Sequence, residues 1–348
     1  MQNYAYAMQT KLAMSDNWRG WIAENLLLNI PPESLVGTLV SNGYSPSLAQ
    51  QEVLAAMNSP YVAAALRSME RLNNRLRKRE WVLDIYRKLN QQRPNGGEIP
   101  RRHRLSRDEF YDQYFFTNRP VVITGMMDDW PALQKWNFDF FRQHYGDRQV
   151  EVQMGRSQDA QYEINCVQHK QTMRFGDYVD MVERAGKTND FYMTANNSSQ
   201  NKMALKELWD DVRLVPEYLN PDSPDTGFFW LGPAGTLTPF HHDLTNNFMA
   251  QVMGSKRVRL VPACEIANIY NHMHCYTEVD GGHIDYQRFP RMQQAQLMEC
   301  TLSPGEILFL PIGCWHYVEG LAPSVTLSFI NFQADNDYHS FYTTYQQV

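Results

Sequence analysis

No stretch of this 348-residue protein approaches the ~20 uninterrupted apolar residues that a membrane-spanning helix needs. Its first twenty residues, MQNYAYAMQTKLAMSDNWRG, lack a basic start followed by a continuous apolar run, so no export leader is expected. Cysteine is scarce. The five present, Cys166, Cys264, Cys275, Cys300 and Cys314, form an odd set without C-x-x-C spacing, which argues against a disulfide framework and against a zinc knuckle of four thiolates. A reducing, cytoplasmic setting is expected. Strong net charge is also missing: the balance is -6, with 43% hydrophobic and 13% aromatic residues, far from the disordered class. The length and the composition together predict a soluble globular protein of about two domains.

The charge is uneven. From Arg67 to Arg104 twelve Lys or Arg face four acids, a surplus of eight, which leaves -14 on the remaining residues. A basic stripe of this kind on a long exposed helix is more often solvated than a nucleic-acid surface, so nucleic acid is not the expected partner.

Two textures divide the sequence. Residues 1–95 read as a helical domain: SDNWRGWIAENLLLNI, PPESLVGTLVSN and SPSLAQQEVLAAMN predict three short helices, with Pro near a helix start and Ser45 as an N-cap. A longer helix follows from Pro60 to about Gln92, with Val62, Leu66, Met69, Leu72, Leu76, Leu83, Tyr86 and Leu89 stepping mostly by three or four. At 1.5 Å per residue it extends ~50 Å, more than a small domain is wide. A stripe that long is expected to pack elsewhere, on a second copy or on the second domain. Around its Asn-Gly-Tyr turn the segment LVGTLVSNGYSPSLAQQEV faintly resembles a ubiquitin-associated three-helix unit.

RPNGGEIPRR, residues 93–102, marks the expected boundary, and 96–348 forms the second domain. There PVVITG, VEVQM, DFYMTA, GFFWLG, KRVRLVP, GEILFLP and VTLSFINF are short β-like runs, with helical insertions RDEFYDQYFF, NFDFFRQHYG and FGDYVDMVERA among the earlier ones. Many short strands without a βαβ rhythm predict a mainly β double-sheet jelly roll, preceded by the helical bundle.

TPFHHDLTNNFMAQVMGSK, residues 238–256, places His241 and Asp243 two apart, on one side of an extended segment, with His242 pointing away. Far downstream, in SPGEILFLPIGCWHYVEG, a strand runs through a Pro-Gly turn and ends at Trp315 and His316. His241, Asp243 and His316 compose a set of two His and one carboxylate, which suits Fe(II) because three coordination positions stay open. On the residues alone, a structural role for the three stands level with metal binding. A zinc reading of His272, His274, Cys275 and His283 lacks ligand spacing and is disfavoured.

GFFWLGPAGTLTPFHHDLTNNFMAQVMGSKRVRLVP, YTEVDGGHIDYQRFP and LSPGEILFLPIGCWHYVEG together resemble the JmjC-type, cupin-like protein hydroxylases, which include the asparaginyl hydroxylase of hypoxia signalling. The resemblance begins near LSRDEFYDQYFFTNRPVVITGMMDDWPAL and extends to about Phe332. It implies a double-stranded β-helix, with Fe(II), 2-oxoglutarate and O₂. Carried over by position, it assigns the iron to His241, Asp243 and His316, and the distal carboxylate of 2-oxoglutarate to Lys256. Thr238 matches a hydroxyl sharing that carboxylate, Asn247 a pocket amide, Trp230 an aromatic wall and Tyr192 a tyrosine that reaches the cosubstrate. Ser328 fits the strand after the distal histidine better than Asn331. Where the asparaginyl hydroxylase grips its target with an Arg-Gln pair, this sequence has Cys275-Tyr276, which leaves an Asn target unsupported.

The expected function is hydroxylation of a side-group C–H bond in a peptide or protein, with succinate and CO₂ as coproducts. The rival readings are N-methyl demethylation by the same residues and a non-catalytic cupin that binds a partner. A homodimer is expected, with the N-terminal helices serving dimerisation or substrate presentation.

Overall fold

The computed structural model describes Lys11 and residues 13–93, 97–195, 198–223 and 227–348. They fall into two compact units, Met1–Ile85 and Tyr86–Val348. The division lies inside the long helix, upstream of the Pro-Gly loop where the sequence places its boundary.

In the first unit α1 (Asp16–Leu27), α2 (Pro32–Ser41) and α3 (Pro46–Met57) precede α4 (Pro60–Gln91). Proline at the first helical position of α2 and α3 presets φ where no N–H partner is needed. As expected, Ser45 caps α3, its hydroxyl accepting the Leu48 N–H at 3.2 Å. Ile22, Leu35, Leu39, Tyr44, Ala49 and Val53 meet in a small core. Leu39 is fully buried there, so Leu39→Ala is expected to cost about 2–5 kcal/mol. α4 itself buries no residue.

Among the described residues the second unit holds fifteen strands. Those before the jelly roll are β1 (Arg101–His103), β2 (Val121–Thr124), β3 (Gln149–Met154), β4 (Lys170–Arg174) and β5 (Phe191–Tyr192). Next come β6 (Phe228–Gly232), β7 (Leu237–His241), β8 (Asn247–Met253), β9 (Lys256–Val261), β10 (Asn271–Met273) and β11 (Tyr276–Thr277). The last four are β12 (Met298–Leu302), β13 (Glu306–Leu310), β14 (Trp315–Gly320) and β15 (Ser324–Phe329). One six-stranded sheet runs β1-β2-β13-β8-β15-β6, the facing one β10-β11-β7-β14-β9-β12, and a three-stranded sheet β4-β3-β5 stands beside them. From β6 to β9, and again from β12 to β15, consecutive strands alternate between the two large sheets. That alternation is the double-stranded β-helix the sequence predicts.

β13 explains why its run GEILFLP shows no polar alternation. Its Leu308 and Leu310 point between the sheets, among Val258, Leu260, Leu302 and Val318. Ile307 and Phe309 point the other way, into the layer of helices formed by residues 107–145 and 175–184. A strand buried on both faces reads as a continuous apolar run.

Three expectations are corrected. β8 was not anticipated, because its five central residues are all buried and NFMAQVM therefore has no period-2 signature. DFYMTA contributes only Phe191–Tyr192 to a strand. The run toward His316 is two strands rather than one: β13 stops at Leu310, a turn follows, and Trp315 and His316 open β14. Gly313 at φ +71° makes that turn, a backbone region that favours glycine. Among the described residues, no helix is long and apolar enough to cross a membrane.

Candidate active site

β7 and β14 pair antiparallel with His241 directly opposite His316. Facing positions on neighbouring strands bring side chains into contact, and the two imidazoles lie 4.1 Å apart between centroids. Asp243 stands two residues beyond β7, where the backbone crosses to the other sheet. Its Oδ1 is 3.6 Å from His241 Nε2 and its Oδ2 3.9 Å from His316 Nε2. The three ligand atoms lie within 4.8 Å of one another, the one such group found among the described residues. His272, His274, Cys275 and His283 do not converge into a comparable cluster.

The donor set fits a divalent transition metal in orientation as well as spacing. His241 Nδ1 sits 2.9 Å from the Pro239 carbonyl and His316 Nδ1 3.1 Å from the Cys314 carbonyl, so each ring gives its proton to the backbone at Nδ1. Both Nε2 lone pairs then face Asp243, the arrangement in which a second hydrogen bond sets the ligating tautomer. Asn247 donates to Asp243 Oδ2 at 3.2 Å and steadies the carboxylate. His242 takes the opposite direction, its ring edge-on to Trp315 at 4.8 Å.

The electrostatics give a neutral His316 and a fixed anion at Asp243, which draws His241 toward protonation. Burial, reinforced by the charge of His241, lowers His316 to about 4. Burial alone would raise Asp243, but the hydrogen bond from His241 and the charges of both histidines outweigh it and hold the carboxyl far below its ordinary range. For His241 burial is outweighed by Asp243, and the ring is raised above its ordinary value.

All nine side chains singled out in the sequence line a single cavity of about 70 Å³. Lys256, the first residue of β9, lines it and is 2% exposed. Its ammonium donates to the Tyr192 hydroxyl at 2.9 Å, and burial lowers it to about 7. Trp230 Nε1 donates to Ser328 Oγ at 2.8 Å, which fixes the indole as a wall. Asn331 lies outside this cavity and donates instead to the Asn220 carbonyl at 3.1 Å.

Sequence reasoning missed Thr326 and the apolar walls Met249, Leu310 and Val318. Thr326 left a signal: it stands two residues before Ser328 in the strand SVTLSF, so the two hydroxyls share a face. It also missed the outer cavity. This space, about 310 Å³, adds Glu163, Phe228, Cys275, Tyr276 and Ile330 to a wall that it shares with the inner one through His241 and Asp243. Behind Glu163 lies Arg156, fully buried, whose Nη2 donates to Glu163 Oε1 and to the Leu237 carbonyl, both at 2.8 Å. His241, Asp243 and His316 thus line the smaller cavity, and His241 and Asp243 also line the wider one.

Comparison with known proteins places this geometry. A cupin-like domain matches residues 107–338. The chain is similar to lysine-specific demethylase 8 of Xenopus tropicalis, 33% identical over 66% of this chain and 52% of that protein. Similarity extends to lysine-specific demethylase JMJ30 of Arabidopsis thaliana, 34% identical over 66% of this chain and 54% of that one. It is 26% identical to the human bifunctional peptidase and (3S)-lysyl hydroxylase JMJD7, over 68% of this chain and 84% of that protein. The first two matches span only about half the length of those relatives. With the jelly roll, the convergent triad and a cupin-like match across most of the second unit, the protein belongs to the JmjC-type, cupin-like family.

Proposed function

We propose that this protein is an Fe(II)- and 2-oxoglutarate-dependent oxygenase that hydroxylates a side-group C–H bond of a peptide or protein. One observation carries the reading: two His, one carboxylate and a buried lysine line one cavity, while His241 and Asp243 also line a wider cavity beside it. Iron held by His241, Asp243 and His316 supplies C–H oxidation with 2-oxoglutarate and O₂, giving succinate and CO₂.

The protein's own residues do the positioning. Lys256 supplies a cation, poorly hydrated and poorly screened, for the distal carboxylate of the cosubstrate. Tyr192, hydrogen-bonded to Lys256, and Thr238 add hydroxyls to the same cavity. Trp230, held by Ser328, walls the chamber and keeps the cosubstrate's carbon skeleton between its two anchors. The prime substrate enters the outer cavity, where the aromatic faces of Phe228 and Tyr276 suit a long aliphatic stem. Glu163 has one oxygen held by Arg156 and lines the cavity, which favours a basic residue such as lysine.

A second reading, N-methyl demethylation, rests on the names of two relatives and uses the same residues. Formaldehyde release separates it from hydroxylation. Five unpaired thiols suit a reducing, cytoplasmic setting.

The test is succinate formation by purified protein with Fe(II) and oxoglutarate, first alone and then with lysine-containing peptides. Slow turnover without peptide is expected, because every residue assigned to iron and cosubstrate lines the same cavity. No succinate above a metal-free control, with no oxoglutarate binding by calorimetry, would return the protein to the non-catalytic binding reading.

A further inference from the structure

The long helix α4 carries a seam of eight positions, four of them exposed and none buried. Positions 62, 65, 69, 72, 76, 79, 83 and 86 advance by alternate steps of three and four, and seven of the eight are apolar, with Arg79 the exception. That spacing is a seven-residue repeat sustained over more than three turns of the pattern, the signature of a helix that packs along another helix. Yet Leu72, Leu76 and Tyr86 are 55%, 52% and 58% exposed, and every residue from Glu70 to Val82 is exposed. A solvent-facing helix has no use for such a stripe.

We propose that the seam pairs with the same seam of a second copy of this protein, making a two-stranded coiled-coil dimer. Charge placement favours a copy over a polyanion or an acidic helix. Of the eight Lys and Arg in α4, only Arg75 and Arg87 occupy positions flanking the seam, and Glu80 lies between them. The others, Arg79 apart, sit on the faces turned away, so two such helices approach without a strip of like charge between them. The remaining flanks are mostly neutral or apolar, among them Leu66, Val82 and Leu89, which broaden the contact.

Area points the same way. The exposed large apolar side chains on the seam and its flanks, at about 100 Å² each, offer about 700 Å² per copy, close to the ~800 Å² per partner of a stable interface. A patch of that size exceeds what most monomers leave uncovered. Because both copies present the same surface, the contact closes on itself at two.

Sedimentation equilibrium of the full-length protein at micromolar concentration tests this. The expected mass is twice 40.6 kDa, falling to 40.6 kDa for Leu72→Glu/Leu76→Glu and staying doubled for Asn74→Glu on the opposite face. A Leu76→Cys variant treated with a bismaleimide gives a second reading that leaves the seam apolar: it is expected to join into pairs well above the wild-type background. A wild-type mass of one copy overturns the proposal. So does a folded double variant that stays paired, or a Leu76→Cys variant that does not crosslink.

Discussion

Replacing Lys256 by methionine should make the empty protein more stable and the cosubstrate complex weaker, and the two effects can be sized separately. In the cosubstrate-free chamber the ammonium is 2% exposed and donates to Tyr192, and burial drops it from 10.5 to about 7. A drop of that size corresponds to about 5 kcal/mol of charge burial. The sign follows from protonation. Below pH 7 the amine is charged in both folded and unfolded states, so the folded state carries the whole cost. Between about 7 and 10.5 the folded state sheds the proton while the unfolded state keeps it, and the cost shrinks; above 10.5 it is gone. Lys256→Met should therefore raise the melting temperature of the metal-free, oxoglutarate-free protein most below neutral pH and hardly at all near pH 10.5. With Mn(II) and oxoglutarate present this advantage narrows. The variant loses a charge-assisted contact of about 1.5–3 kcal/mol, which weakens oxoglutarate by about 10- to 150-fold. Differential scanning calorimetry across pH and isothermal titration provide the readings. A variant that melts lower than wild type at acidic pH, with oxoglutarate affinity unchanged, would refute both the buried charge and its role.

Two further outcomes follow from the same chamber and its neighbour. His241→Ala and Asp243→Ala should abolish Fe(II)-dependent succinate formation, while His242→Ala keeps a measurable fraction, since its ring packs on Trp315; the reverse ranking would overturn the ligand assignment. Glu163→Gln should raise KM for a lysine peptide by about 10- to 150-fold and leave peptide-free succinate formation unchanged, if the carboxylate receives a substrate cation. An unchanged KM, in a variant whose melting shows it folded, removes Glu163 from substrate recognition.

Much of the site was legible because the relevant distances are short in sequence or fixed by strand geometry. His241, Asp243 and the turned-away His242 follow from a period of two, and the nine lining residues from a resemblance that carries position by position. Helices with proline starts and the Ser45 cap were readable for the same local reason. β8 was not, because a strand buried on both faces erases its own alternation. The Trp315-His316 strand start was hidden by the turn at Gly313, which looks in sequence like a strand running on. Glu163 and Arg156 escaped for a different reason. They lie far from the motifs in sequence, and only the fold brings Arg156 against the Leu237 carbonyl.

The two site histidines share a habit with consequences of its own. Each gives its Nδ1 proton to the carbonyl two residues back along its own backbone, Pro239 for His241 and Cys314 for His316. Neither takes its Nδ1 partner from a carboxylate or a distant loop. The instruction is written into three consecutive residues, so it survives rearrangement of everything around the mouth of the cavity. A scaffold wired in this way can exchange its entrance loops, and with them its clientele, while each ring keeps its Nε2 turned toward Asp243.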